Sequence, residues 1–233
     1  MTKYIAILPA SGIGSRFGMD IPKQYAKIND RCLIEYTLDA FLDVEIISNI
    51  YVVVNCDDIY IDKILDKYLH LQKNKIKILK CGGKTRSQTV FNALTSIKAV
   101  GNDWILVHDV VRCYIKPDLI IKQINELKNC DSGGILAIPI RDTVKMVDDK
   151  KITKTLDRSN LYLAQTPQMF RYEVLIDSYR KIENFNNMTD ESSIVEAAKY
   201  NVFVVIGDDE NIKVTYQNDI IGLKGVLYDD KFI

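Results

Sequence analysis

Three glycines and two cations lie close together in "LPASGIGSRFGMDIPKQY" (Leu8 to Tyr25), directly after a short apolar run. Gly12, Gly14 and Gly18 leave backbone amides open to close approach, and Arg16 and Lys23 add positive charge to the same loop. Amides and cations together suit a polyphosphate. Two familiar loops of this kind do not match. A nucleotide-hydrolysing loop needs G-x-x-x-x-G-K-[ST], and no Gly-Lys-Ser/Thr follows here. A dinucleotide fingerprint needs G-x-G-x-x-G opening a helix. Here the third glycine comes one residue late and the loop runs on to Pro22. The second strand also lacks an acidic end to hold a ribose, which argues against a nicotinamide oxidoreductase. Glycines alone would make only a tight turn; Arg16 and Lys23 point to a triphosphate.

The elements that must position this loop alternate in type. Tyr4–Leu8, Ile50–Asn55, Ile76–Cys81, Trp104–Asp109, Gly133–Ile140 and Val202–Gly207 are short and nearly continuous in apolar residues. Strands buried on both faces read this way. Helical stretches lie between them over Cys32–Leu42, Asp57–Leu69 (opened by an acidic cap) and Lys116–Asn129 (Pro117 in its first turn). A Pro turn at "TPQMF", helices over Tyr172–Phe185 and Thr189–Tyr200, a late strand and a helix from about Asn218 complete the chain. The expected fold is α/β: an open, mostly parallel, Rossmann-like sheet with helices on both faces. Asp142–Arg158 departs from it as two alternating runs around "DDKK", a hairpin projecting from the sheet. A lone hairpin is too thin to hold itself up in water, so this one is expected to be a dimerisation arm packed on another subunit.

Composition sets the bounds. A chain of 233 residues suits one domain over 1–233, with 142–158 as its arm. With 31 Lys+Arg against 31 Asp+Glu, no general attraction to nucleic acid or an anionic membrane is expected, so any anion site is local. Cys32, Cys56, Cys81, Cys113 and Cys130 are odd in number and lack CxxC spacing, which argues against a disulfide framework or a zinc site. The N-terminal apolar run is too short for a signal peptide, and no run approaches the ~20 residues of a membrane span. A cytoplasmic protein is expected.

The loop resembles the nucleotide-binding loop of sugar-phosphate and polyol-phosphate nucleotidyltransferases. Its continuation is narrower. "GGKTRSQTVFNAL", "VHDVVR", "IPIRDTVK", "LDRSNLYLAQTPQMF", "TDESSIVE" and "DDENIKVT" follow in the order and spacing of the 2-C-methyl-D-erythritol 4-phosphate cytidylyltransferase family, which serves non-mevalonate isoprenoid biosynthesis. The resemblance runs from about Ile5 to Leu227. It implies that the CMP moiety of CTP passes to methylerythritol phosphate with release of pyrophosphate, in a homodimer joined by its β-arms. The alternative within the same fold is a ribitol 5-phosphate cytidylyltransferase. That family tends towards "GGTGTR" in the first loop, a serine after "HD" and no "TDE-S" stretch; "ASGIGSR", Val110 and "TDESS" favour the first.

The resemblance also implies roles. Arg16 and Lys23 match the pair that neutralises the attacked α-phosphate, and Lys213 the cation that holds the attacking phosphate. Ala10, Ser11, Gly12, Gly14, Gly82, Gly83 and Thr89 match the nucleotide site; small residues there let cytosine approach the backbone. Asp109, Arg112, Thr143, Thr166 and Thr189 match the polyol-phosphate site, and Arg158 supplies a phosphate fork from the neighbouring subunit. Thr189 also suits a helix N-cap. Mg²⁺ is expected on the CTP phosphates, with no protein residue assigned to it. His108 lies on a strand, and the chemistry does not need it as an acid or base. Ser11 stands where alanine is usual, Thr89 replaces a serine, and Lys84 is acidic in some members. Val110, Val111 and Cys113 replace smaller residues and a proline, which tightens the substrate side.

Overall fold

A computed structural model describes residues 2–12, 21–68 and 75–222. Strand β1 (Tyr4–Pro9) shows why the apolar runs are continuous. Ala6 and Leu8 enter one core, Ile5 and Ile7 the other, and none is more than 1% exposed. With both faces covered, polar–apolar alternation disappears. Each such Ile or Leu contributes about 1.5–3 kcal/mol by leaving water. Strands β4 (Ile47–Val53) and β6 (Trp104–Val107) divide their side chains between the same two cores.

With β5 (Ile76–Leu79), β7 (Gly133–Pro139), β10 (Tyr162–Arg171) and β11 (Phe203–Ile206), these strands form one seven-stranded sheet in the order β11-β7-β10-β6-β1-β4-β5. Its pairs are parallel except those made by β10. Helices α1 (Leu33–Leu42), α2 (Ile61–Leu65) and α4 (Pro117–Leu127) cover one face; α3 (Arg86–Ser96), α5 (Tyr172–Lys181) and α6 (Glu191–Ala197) cover the other. The short strands β2 (Lys27–Ile28) and β3 (Arg31–Cys32) lead into α1. No described helix is long and apolar enough to cross a membrane.

Two local expectations change. The Pro turn at "TPQMF" is instead part of β10, a ten-residue strand antiparallel to β6 and β7. Its cis Thr166–Pro167 peptide falls in a register shift between Ala164 and Gln168, where the missing proline N–H interrupts no ladder bond. Gly133 lets β7 close on this strand. Its φ is +140°, and a Cβ there would lie 2.1 Å from the Met169 carbonyl oxygen. The helix expected over Asp57–Leu69 shortens to α2, because Asp58 turns back to accept from the Tyr60 and Ile61 amides, both at 2.9 Å. The expected hairpin is present as β8 (Lys145–Asp148) and β9 (Lys151–Thr155), with left-handed Asp149 and Lys150 at its turn.

Candidate functional site

Strands β6, β1, β4 and β5 are neighbours, and their carboxyl ends share one edge. The chain passes from β1 to β4 on one side, while β6 flanks β1 on the other. An open α/β sheet splits apart at such a point and leaves a crevice. A cavity of about 660 Å³ opens there, with Ser11 and Gly12 after β1, Gly82 and Gly83 after β5, and Asp109 after β6 in its wall.

Hydrogen bonds beyond the strand ends hold the first wall. The Ala10 amide donates to the Val53 carbonyl at 2.8 Å, and the Gly82 amide to the Val54 carbonyl at 2.8 Å. Asn55 Nδ2 donates to the Ser11 carbonyl at 2.9 Å, and Gln24 Nε2 to the Ala10 carbonyl at 2.6 Å. A Cβ on Gly82 would meet Asn55 Oδ1 and Ser11 Cβ, each at 2.6 Å, so the close approach requires glycine. Thr89 lies behind this wall, fully buried in α3. Its hydroxyl donates to the Thr85 carbonyl at 2.9 Å and accepts from the Gly83 amide at 3.0 Å. Its one proton being used, it accepts from the Ser11 hydroxyl at 2.7 Å. The two departures at positions 11 and 89 are therefore one contact, tying the first loop to the glycine pair.

The floor is charged. Asp109 accepts from Arg86 Nε on one oxygen and from Lys213 Nζ on the other, both at 2.7 Å. Burial alone would raise its pKa, but Arg86 and Lys213 override this and hold the carboxyl far below the usual carboxylate range. Arg86 reaches on to Glu191 Oε1 at 2.7 Å. Lys23 Nζ donates to the Val214 carbonyl at 2.7 Å, which brings the first loop against the segment that carries Lys213. Lys84 also lines the large cavity. No three His, Cys, Asp or Glu side chains cluster as a metal cage among the described residues. With both Asp109 oxygens on cations, the donor set of the described residues does not fit a resident metal.

A second cavity of about 200 Å³ adjoins the first and shares Arg86, Asp109 and Lys213 with it. Arg112, Thr166 and Thr189 line it. The Arg112 guanidinium donates to the Asn211 and Ala164 carbonyls at 2.7 and 3.1 Å, and its Nε is buried without a partner among the described residues. Thr166 Oγ1 accepts from the Asp109 amide at 3.2 Å and lies 3.0 Å from His108 Nδ1. The other His108 nitrogen faces the Arg112 carbonyl at 3.2 Å. A carbonyl only accepts, so Nε2 carries the proton and Nδ1 takes the Thr166 hydroxyl's. Burial is the main cause that pushes the His108 pKa down to about 3, so the ring stays neutral.

Thus Ala10, Ser11, Gly12, Lys23, Gly82, Gly83, Asp109 and Lys213 meet at one cavity, and Asp109, Arg112, Thr166, Thr189 and Lys213 at the other. Thr143 and Arg158 reach neither; both are exposed beside the hairpin. The N-cap of α6 is Asp190, which accepts from the Ser193 amide, so Thr189 is left to the cavity wall. Arg16, Gly14, Gly18 and His70 lie outside the described residues. Arg86 and Glu191 carry no role in the sequence reading, although both stand inside quoted motifs. A buried Arg–carboxylate contact spanning 105 residues has no local signal.

The sequence model of a family described as "IspD: 2-C-methyl-D-erythritol 4-phosphate cytidylyltransferase" matches residues 4–227. Relatives of that enzyme name include one from Neisseria meningitidis serogroup C, 38% identical over 221 residues, spanning 93% of this chain and 94% of its own. Another, from Hahella chejuensis, is 40% identical over 94% of this chain and 90% of its own. Among solved structures, a 4-diphosphocytidyl-2C-methyl-D-erythritol synthase superposes with TM-score 0.84 at 32% identity, covering 97% of this chain and 99% of that one. The Francisella tularensis 2-C-methyl-D-erythritol 4-phosphate cytidylyltransferase gives 0.80 at 33%, covering 96% and 99%.

Proposed function

Because the chain belongs to the 2-C-methyl-D-erythritol 4-phosphate cytidylyltransferase family, it transfers the cytidylyl group of CTP to methylerythritol phosphate, and we propose how its two cavities divide that work. The observation that carries the proposal is their common wall of Arg86, Asp109 and Lys213. CTP occupies the larger cavity, with cytosine against Ala10, Ser11, Gly12, Gly82 and Gly83. Methylerythritol phosphate occupies the smaller, its hydroxyls towards Asp109, Thr166 and Thr189. The two substrates then meet at Lys213.

A phosphate oxygen of methylerythritol phosphate attacks the α-phosphorus in line. One P–O bond forms, the bond to the β-phosphate oxygen breaks, and pyrophosphate leaves with that electron pair. The nucleophile is anionic at neutral pH, so no general base is required, and His108 stays neutral behind the site. Catalysis is positioning and charge stabilisation. Lys23 and Arg16 neutralise the transferring and leaving phosphates, and Lys213 holds the attacking one. Mg²⁺ would be held mainly by the CTP phosphates, with no described residue assigned to it, and would offset their charge. The chain acts as one nucleotidyltransferase domain. Its hairpin, with Met146, Val147 and Ile152 more than half exposed, packs on a second copy and presents Thr143 and Arg158 to that copy's smaller cavity.

Pyrophosphate release tests this reading. With CTP, methylerythritol phosphate supports turnover and ribitol 5-phosphate does not; the reverse preference overturns it. Lys23→Ala lowers kcat by about 10²-fold or more with little change in the KM for CTP. A raised KM at unchanged kcat would contradict its role on the transferring phosphate.

A further inference from the structure

Lys213 is to hold a phosphate, yet its Nζ rests 2.7 Å from Asp109 Oδ2. Drawing it away strands a carboxylate that is only 7% exposed, unless another cation remains. Arg86 is that cation. Its Nε lies 2.7 Å from the other Asp109 oxygen, and its Nη1 lies 2.7 Å from Glu191 Oε1. Glu191 is fully buried at the start of α6, where it also accepts from the Tyr179 hydroxyl at 3.2 Å. Two cations and two carboxylates thus form a chain of zero net charge, Lys213–Asp109–Arg86–Glu191. One end is anchored in the core, and the other lies in the wall between the two cavities.

We propose that Arg86, fixed by Glu191, is a positioning residue that keeps Asp109 ion-paired while Lys213 moves from Asp109 to the substrate's phosphate. The inference rests on the role given to Lys213 above. Without Arg86, Lys213 is the remaining ion-pair partner of Asp109 among the described residues, and a dianionic phosphate must compete with a buried carboxylate for it. Without Lys213's release, the attacking phosphate sits beside an anion.

Steady-state kinetics with each substrate varied separately tests this, with folding checked by circular dichroism and urea titration. Arg86→Gln raises the KM for methylerythritol phosphate tenfold or more and changes the KM for CTP less than threefold. Arg86→Lys, which keeps the charge, recovers most of the loss. Adding Asp109→Asn to Arg86→Gln lowers the KM for methylerythritol phosphate below that of Arg86→Gln alone, because the amide still meets the substrate's hydroxyls but no carboxylate then retains Lys213. A merely structural role predicts that the second substitution makes matters worse, and that result overturns the proposal. Should Arg86→Gln fail to fold, Glu191→Gln supplies the test. It loosens the anchor of the guanidinium, so the KM for methylerythritol phosphate rises threefold or more while the KM for CTP changes less; a KM for methylerythritol phosphate equal to the wild-type value overturns the proposal. Lys213→Ala separates the two readings. If it impairs use of methylerythritol phosphate while Arg86→Gln behaves as wild type, the handover fails alone. If Lys213→Ala leaves that KM unchanged, both fail.

Discussion

His108 sits one residue before Asp109, wholly buried, with both ring nitrogens engaged by Thr166 and the Arg112 carbonyl. A neutral ring in the fold and an ordinary imidazole in the unfolded chain make stability depend on pH. The unfolded histidine gains its proton below pH ~6.5, whereas the folded one resists down to about 3, so stability present above 6.5 is lost as pH falls. Between pH 7 and pH 5 this amounts to about 2 kcal/mol. Urea titrations of the wild type and His108→Gln at both pH values measure it. The stability advantage of the wild type shrinks by about that amount at pH 5, and an advantage independent of pH would show that the folded ring titrates as the unfolded one does. At this scale the cavity-lining Gly12 and Lys23 were singled out because amides and charge suit a phosphate, and Lys213 only through the family resemblance. Arg86 and Glu191 were not, since their pairing exists only once α3 and α6 pack side by side.

Among the elements, the start of α6 closes one side of the smaller cavity with Thr189 and Asp190. Asp190 Oδ1 accepts from the Ser193 amide, and Oδ2 from the Ser192 hydroxyl and from Gln168 Nε2 on β10. One carboxylate therefore caps a helix and fastens it to the sheet. Asp190→Ala removes a cap worth ~1 kcal/mol and strands a buried Gln168 nitrogen, a combined loss of about 2–3 kcal/mol in urea titration. Asp190→Asn keeps one acceptor oxygen in place of two, enough for the cap but not for Gln168 as well, and loses less than Asp190→Ala. Equal losses in the two variants would mean that the single remaining acceptor does not secure the helix. The parallel strands were legible as elements because burial on both faces leaves continuous apolar runs. Strand β10 was not, because Gln165, Thr166, Pro167 and Gln168 interrupt its apolar pattern with the groups that line and brace the cavity. Cavity lining at that strand overwrote the signal of its structure.

For the whole molecule the open matter is what the hairpin touches. Every residue of β8 and β9 is exposed, Thr143 and Arg158 stand apart from both cavities, and the Leu156 amide closes the hairpin's base on the Val144 carbonyl at 2.9 Å. If the arm serves a second copy, two inactive variants complement each other. Mixing equal amounts of Arg158→Ala and Lys23→Ala subunits yields mixed dimers with one intact site, about a quarter of wild-type activity overall. Activity no greater than that of the separate variants would place Arg158 in its own subunit's site. The arm's hairpin character was legible from its alternating pattern and "DDKK" turn, whereas its destination depends on a surface outside its own sequence.

The 2.7 Å bond from Lys23 to the Val214 carbonyl joins residues 191 positions apart. It has a consequence for how the enzyme comes into being. A growing chain can pair β1 with β4, add β6 and bury most of its core while it is still being synthesised. The cation cluster cannot close until residues 213 and 214 have emerged and docked. The proposed phosphate site therefore closes only after that segment docks, and a chain interrupted short of it would keep most of its sheet yet leave that site incomplete.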